Sequence, residues 1–199
     1  MTAELALSKE RQVTDYQKVL KSMLEDISRM DHIITGLLTL AKVDLELASS
    51  HLSPIRLDEV LIDLKEEWKK QNDLTIQLTF GALSDEPILL ANAVLLHIAL
   101  NNIISNAFKF SNNQAIECIL QATPQQLTLQ IKDHGIGIAA DDLVEMFKPY
   151  YSRSAQSGHH GEGMGLYMAS KIISLFKGNI EVESTIGQGS SFILSFPKL

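Results

Sequence analysis

At 199 residues the chain is long enough to bury a substantial core without disulfides or metals. With 45% apolar and 21% charged residues, 11 Gly and 5 Pro, its composition excludes collagen-like, mucin-like and disordered classes. The 17 Lys and Arg against 24 Asp and Glu give a net charge of −7, of which −2 falls in the first 48 residues, so neither part carries the basic surplus that attracts nucleic acid. No stretch approaches the roughly 18 consecutive apolar residues of a membrane span, and MTAELALSKE lacks the basic-then-apolar order of a signal peptide; a soluble piece in the cytoplasm is expected. The single Cys118 alternates with Ile116 and Leu120, which predicts a buried, inert thiol rather than a nucleophile.

Val13, Tyr16, Leu20, Met23, Ile27, Met30, Ile34, Leu37 and Ala41 follow one another at alternating steps of three and four. This heptad seam predicts one long helix from about Thr14 to about Leu47, packed at a shallow angle on another helix, either in a dimer bundle or against the rest of its own chain. Ala3–Leu7 before it reads as the tail of a helix cut short, and Ala48-Ser-Ser-His-Leu-Ser-Pro54 as a linker, placed at 49–56.

Beyond the linker, Leu57, Val60, Leu61, Leu64 and Trp68 share one face of a helix predicted over Asp58 to about Lys70, with Trp68 in the core, and Leu74, Ile76, Leu78 and Phe80 alternate as a strand. Asn92 is placed to cap a helix running to about Phe110. Strands are predicted over about Ala115–Ala122 and Leu127–Asp133, a short helix over Ala140–Phe147, a helix over Leu166–Phe176, and paired strands over Ile180–Glu183 and Phe192–Phe196. Helices mixed with mostly antiparallel strands predict an α+β chain in which one sheet is covered by helices on one face.

Three segments stand apart from this packing. In the helix after Asn92, Leu96, Leu100, Ile103, Ala107 and Phe110 form an apolar stripe, and Asn102, Asn106 and Lys109 stand beside it at i, i+4 and i+7. Asn is a poor helix former, yet its carbonyl oxygen suits one site of a Mg²⁺ that keeps its waters, and a lysine meets phosphate as a point charge. Taken alone, the stripe reads first as solvated surface. Leu127, Leu129 and Ile131 alternate inward, and the same parity turns Asp133 inward, where a carboxylate needs a donor; Gly135 and Gly137 next to it let a flat ligand approach the backbone. An adenine amino group is one such donor, and an ordinary turn is the competing reading. Gly161-Glu-Gly163-Met-Gly165-Leu166 precedes a helix whose first N–H groups can meet phosphate oxygens, or is a hinge; it is neither a P-loop nor a dinucleotide fingerprint.

In order, Asn102-x-x-x-Asn106-x-x-Lys109, Asp133-x-Gly-x-Gly137, Phe147-Lys-Pro-Tyr-Tyr151, Gly161-x-Gly-x-Gly165 and Gly187-Gln-Gly189-Ser190 resemble the series of boxes of the ATP-binding catalytic domain of bacterial two-component sensor histidine kinases, from about Pro54 to the C-terminus. The helix ending Leu37-Leu-Thr-Leu-Ala-Lys-Val-Asp44 is similar to the second helix of that family's dimerisation and histidine-phosphotransfer domain. The resemblance implies a Bergerat-type α/β sandwich over 57–199, preceded by a partial phosphotransfer region over 1–48. It implies that Asp133 binds the adenine amino group and that Asn106 coordinates Mg²⁺. It further implies that Asn102, Lys109, Gly135, Gly137, Tyr151, Arg153, Gly161, Gly163, Gly165 and Leu166 surround Mg-ATP, with about Tyr150 to His160 as a lid. Its partners are a phosphoacceptor histidine, a response regulator and a second copy held through the 13–44 helix, in the cytoplasmic portion of a membrane-bound sensor.

One departure bears on mechanism. The family's phosphoacceptor is a His followed by an acidic residue and then a Pro, and none of His32, His51, His97, His134, His159 or His160 has those neighbours. The expectation is that the chain starts just downstream of the acceptor and does not phosphorylate itself. ATPases of the same superfamily carry a Glu as general base where this chain has Asn102, and an amide cannot take a proton from water. A nucleotide-binding interaction module without catalysis is the remaining alternative.

Overall fold

The computed structural model describes residues 12–24, 27, 52–72, 74–83, 86–111, 114–151 and 163–199. The chain divides into two compact units, Met1–Lys42 and Val43–Leu199. In the first, residues 13–24 form a helix (α1), and the seam positions Val13 and Leu20 are exposed. The predicted continuation to Leu47 and the segment Ala3–Leu7 lie outside the described residues, apart from the helical position Ile27.

The second unit runs β1 (Ser53–Arg56), α2 (Leu57–Asn72), β2 (Ile76–Leu83), β3 (Ile88–Ala91), α3 (Ala93–Phe110), β4 (Ile116–Ala122), β5 (Gln126–Asp133), α4 (Ala140–Glu145), α5 (Gly165–Leu175), β6 (Asn179–Thr185) and β7 (Gly189–Pro197). β1 takes residues read from the sequence as the end of the linker. It pairs antiparallel with β3, Ser53 opposite Ala91 and Arg56 opposite Ile88. Pro54 suits this two-stranded edge, because proline is tolerated where a strand has no second neighbour to bond.

The main sheet has the order β2-β4-β5-β7-β6. β2 and β4 are parallel and every other pair is antiparallel. Alternation places Ile116, Cys118, Leu120, Leu127, Leu129, Ile131, Phe192, Leu194 and Phe196 on one buried face. Register brings Leu120, Leu129 and Leu194 side by side across three strands. Helices α2, α3 and α5 cover that face. Polar Glu117, Gln121, Thr128, Gln130 and Lys132 occupy the other face, where the Gln130 amide donates to Ser191 Oγ at 2.7 Å.

α3 is the central helix. By length and composition it is apolar enough to cross a membrane, but Leu95, Leu96, Ala99, Leu100, Ile103, Ile104, Ala107 and Phe108 are buried in this core. Trp68, expected in the core, is only partly buried. Its ring packs 5.0 Å from that of Phe108, and its indole N–H donates to Asn101 Oδ1 at 2.8 Å, so its polar edge stays at the margin of the core.

Candidate functional site

α3 starts as its sequence demands: the Asn92 side chain accepts from the Leu95 N–H at 3.1 Å. Leu96, Leu100, Ile103 and Ala107 lock one side of the helix into the core. Asn102, Asn106 and Lys109 lie half-buried on the adjoining face. Phe110, expected to continue the apolar stripe, is instead 37% exposed at the last turn, and the Lys109 ammonium lies 5.2 Å from the centre of its ring. Burial lowers the Lys109 pKa from the ordinary lysine value, and among the described residues no carboxylate pairs with it. A half-buried ammonium with no carboxylate partner among the described residues is suited to meet an anion.

β5 ends on Asp133, which is 3% exposed, as its parity predicts. Oδ1 of its carboxylate accepts from the Gly135 N–H at 2.8 Å and the Ser190 N–H at 3.3 Å. Despite these donors, burial raises the pKa of Asp133 above the usual carboxylate value. Both backbone donors reach the same oxygen, and the Ser190 hydroxyl adds a further hydrogen bond; with two lone pairs on each oxygen the carboxylate still has accepting capacity for an outside donor. The turn that follows is pinched from two sides. The Ile136 N–H donates to the Phe110 carbonyl at the end of α3, and a Cβ on Gly135 would strike that same carbonyl. On the other side, Gly137 at φ +72° lies against the Thr185 carbonyl, Gly187 N–H donates to the Ile136 carbonyl, and Ser184 Oγ accepts from the Ile138 N–H at 2.8 Å while donating to the Gly189 carbonyl.

Ser184 escaped the sequence reading, and Ser190 entered it only as the end of the Gly187-Gln-Gly189-Ser190 box, with no role at Asp133. For Ser190 a signal existed: Phe192, Leu194 and Phe196 point inward, so by the same alternation Ser190 sits on the Asp133 side of the sheet, and the two residues are register partners.

The third box meets the first. Gly165 opens α5 directly against Asn102, where an added Cβ would come within 3.1 Å of the amide oxygen. Met164 supplies no side-chain cap, so among the described residues the first-turn N–H groups around Gly165 and the half-buried Leu166 have no side-chain acceptor from the cap position. Gly163, at φ +69°, lies against the Tyr151 backbone, and the Tyr151 hydroxyl donates to Asp142 Oδ1 at 2.6 Å on α4. α3 therefore runs from the Gly165 contact at Asn102 to the Gly135 contact at Phe110, with Asn106 and Lys109 on the stretch between. Arg153, Gly161, His159 and His160 lie outside the described residues.

Other chemistry is limited. Cys118 is 1% exposed and its thiol is pushed up to about 12 by burial, which makes it inert as expected. His97 pairs with Glu67 at 3.0 Å and His134 with Glu117 at 2.9 Å. Among the described residues no three His, Cys, Asp or Glu side chains gather to hold a metal. The neutral amide oxygen of Asn106 fits a hard cation that keeps most of its water and takes phosphate oxygens, and does not fit a protein-caged ion.

A family profile described as histidine kinase-, DNA gyrase B-, and HSP90-like ATPase matches residues 91–199. Among curated proteins, the sensor histidine kinase RcsC of Escherichia coli is 33% identical over 118 residues, which are 58% of this chain and 12% of that protein. The sensor protein SrrB of Staphylococcus aureus is 28% identical over 195 residues, 94% of this chain. The chain thus spans about a third of the length of SrrB and far less of RcsC. Among solved structures, the Acinetobacter baumannii histidine kinase AdeS aligns with a TM-score of 0.67 at 21% identity, covering 98% of this chain and 89% of its own. The mycobacterial sensor histidine kinase MprB aligns with a TM-score of 0.63 at 20% identity, covering 74% of this chain and 98% of its own. These structural likenesses carry the fold.

Proposed function

Because the chain belongs to the histidine kinase-, DNA gyrase B-, and HSP90-like ATPase family, we propose that residues 57–199 bind Mg-ATP as the kinase part of a sensor histidine kinase and present its γ-phosphoryl group to a histidine outside this sequence. The observation that supports this most directly is the buried Asp133 carboxylate, fixed by two backbone donors at the start of a turn with glycines at 135 and 137. Asp133 accepts from the adenine amino group, and Gly135 and Gly137 let the turn beside it close against the Phe110 and Thr185 carbonyls. Lys109 neutralises phosphate charge, and the uncapped start of α5 at Gly165 and Leu166 donates N–H groups to phosphate oxygens. Asn106 is the residue that would hold Mg²⁺, which when bound neutralises and orients the phosphate oxygens. Asn102 orients the start of α5; Tyr151 and Gly163 join α4 to the segment before α5, with Arg153 and Gly161 as further phosphate neighbours. Catalysis then rests on positioning and charge neutralisation, because this chain needs to supply neither a nucleophile nor a base to water.

Residues 1–48 serve in this reading as part of a dimerisation and phosphotransfer region, with a response regulator downstream and the whole in the cytoplasmic portion of a membrane-bound sensor. The test mixes the protein with a helical hairpin bearing an acceptor histidine and γ-labelled ATP. Label is expected on the acceptor histidine and not on this chain. Steady ATP turnover by the pure protein, lost in Asn106→Ala, would support hydrolysis instead, and tight ATP binding with no transfer to any matched acceptor would leave an interaction module.

A further inference from the structure

The residue that follows Asp133 is held in a way that the nucleotide site itself does not require. The β5–β7 ladder ends with Asp133 opposite Ser190, and the β4–β5 ladder ends with Glu117 opposite Lys132. His134 is thus the first residue past the sheet, and neither ladder fixes its backbone. Parity turns its ring to the face opposite the core, where its Nε2 lies 2.9 Å from Glu117 Oε1 on β4. The pair is about half exposed, with side-chain exposures of 46% and 36%. It bridges from a strand to a turn whose next N–H, that of Gly135, is the shorter of the two backbone donors to Asp133 Oδ1.

We propose that His134 and Glu117 form a positioning couple that sets the aim of the Asp133 carboxylate and thereby selects adenine over guanine nucleotides. The inference rests on the reading of Asp133 as the acceptor for the base. The ring of His134, tied to β4, adds a side-chain anchor to the backbone bonds that already hold this turn, so that Gly135 N–H stays on Oδ1 and Oδ2 stays turned toward the bound base. An adenine presents an amino donor to that oxygen, and a guanine presents a carbonyl acceptor at the corresponding ring position. A fixed carboxylate rejects the acceptor; one free to swing discriminates less. The groups facing His134 are Glu117 on β4, Lys132 on β5 across from Glu117, and Asp133 beside it. The hydrogen bond from His134 holds the Glu117 carboxyl below its usual range, with Lys132 adding to it, as a carboxylate acceptor of this bond requires.

The experiment measures ATP and GTP binding calorimetrically on the whole chain, with His134→Ala, Glu117→Ala, the double variant, His134→Gln as a donor-preserving replacement, and Asp133→Asn as reference. Thermal unfolding without ligand is recorded for each. His134→Ala and Glu117→Ala are expected each to weaken ATP three- to tenfold, to leave GTP within twofold, and to be no worse when combined. His134→Gln is expected to recover most of the loss. Singles that bind ATP as the parent does, losses that multiply in the double variant, or equal losses for ATP and GTP would overturn the couple. If Asp133→Asn binds ATP as tightly as the parent, the reading of Asp133 itself falls, and the couple falls with it.

Discussion

At the scale of single residues, Asp133 carries a cost that the unliganded protein has no use for. Burial raises its pKa, because the folded chain holds the carboxylate where water solvates its charge poorly. The unfolded chain keeps the ordinary carboxylate pKa, and between that value and the raised one the folded state binds more protons. Stability of the unliganded protein therefore rises as pH falls through the raised pKa of Asp133, while ATP affinity falls over the same interval because the protonated carboxyl is a poorer acceptor. Asp133→Asn separates the two effects. The Asn oxygen still accepts from Gly135 and Ser190, and its NH₂ group faces the adenine donor. The variant is expected to unfold at the same temperature as the parent or higher, and to lose about ten- to a hundredfold in ATP affinity, the range for a hydrogen bond to a charged group of about 1.5–3 kcal/mol. A variant that binds ATP normally, or that loses ATP affinity only because it is unfolded at 25 °C, would count against Asp133 as the acceptor for the base.

Elements differ in how openly the sequence declares them. α3 is legible from its sequence: Asn92 caps it, the apolar period is complete, and the two asparagines and the lysine on its flank stand out as a candidate site. Replacing Asn92 with Ala removes one satisfied N–H at the helix start, and urea unfolding is expected to show a loss of about 1 kcal/mol with the slope unchanged. A loss near zero would mean that packing alone holds this helix end. β1 was illegible because four residues containing a proline and a serine carry no period, and only the partner strand β3, more than 30 residues on, makes them a strand. The same holds for the parallel pairing of β2 with β4, which depends on where β3 and α3 carry the chain. Within the site, carboxylate, amides and glycines were visible as residue types at telling spacings. The hydroxyl of Ser184 and the backbone donors of Ser190 and Gly135 were not, since main-chain N–H groups leave no mark on composition and become specific only when register aims them.

For the molecule as a whole, the site is made of parts that are far apart in sequence and joined by few direct bonds. Asn102 to Phe110, the turn after Asp133, Tyr151, the start of α5 and the β6–β7 hairpin each come from a different element, and the α3 helix is their common support. A ligand that contacts all of them ties these elements together, so its binding free energy appears as stability of the whole second unit and not of one loop. At a concentration 100 times its Kd, ATP with Mg²⁺ is expected to add about 2.7 kcal/mol to unfolding. At roughly 2–4 °C per kcal/mol for a chain of this size, that raises the midpoint by about 5–10 °C. Chelating Mg²⁺ is expected to shrink this shift without abolishing it, because on the proposed reading Asp133, Lys109 and the α5 start contact the nucleotide without the metal, whereas Asn106→Ala is expected to make the shift the same with and without Mg²⁺. Differential scanning calorimetry checks both. A full shift that survives chelation in the parent would remove Mg²⁺ and Asn106 from the account of binding, and a shift confined to a minor transition would mean that the nucleotide orders only part of the unit that α3 holds together.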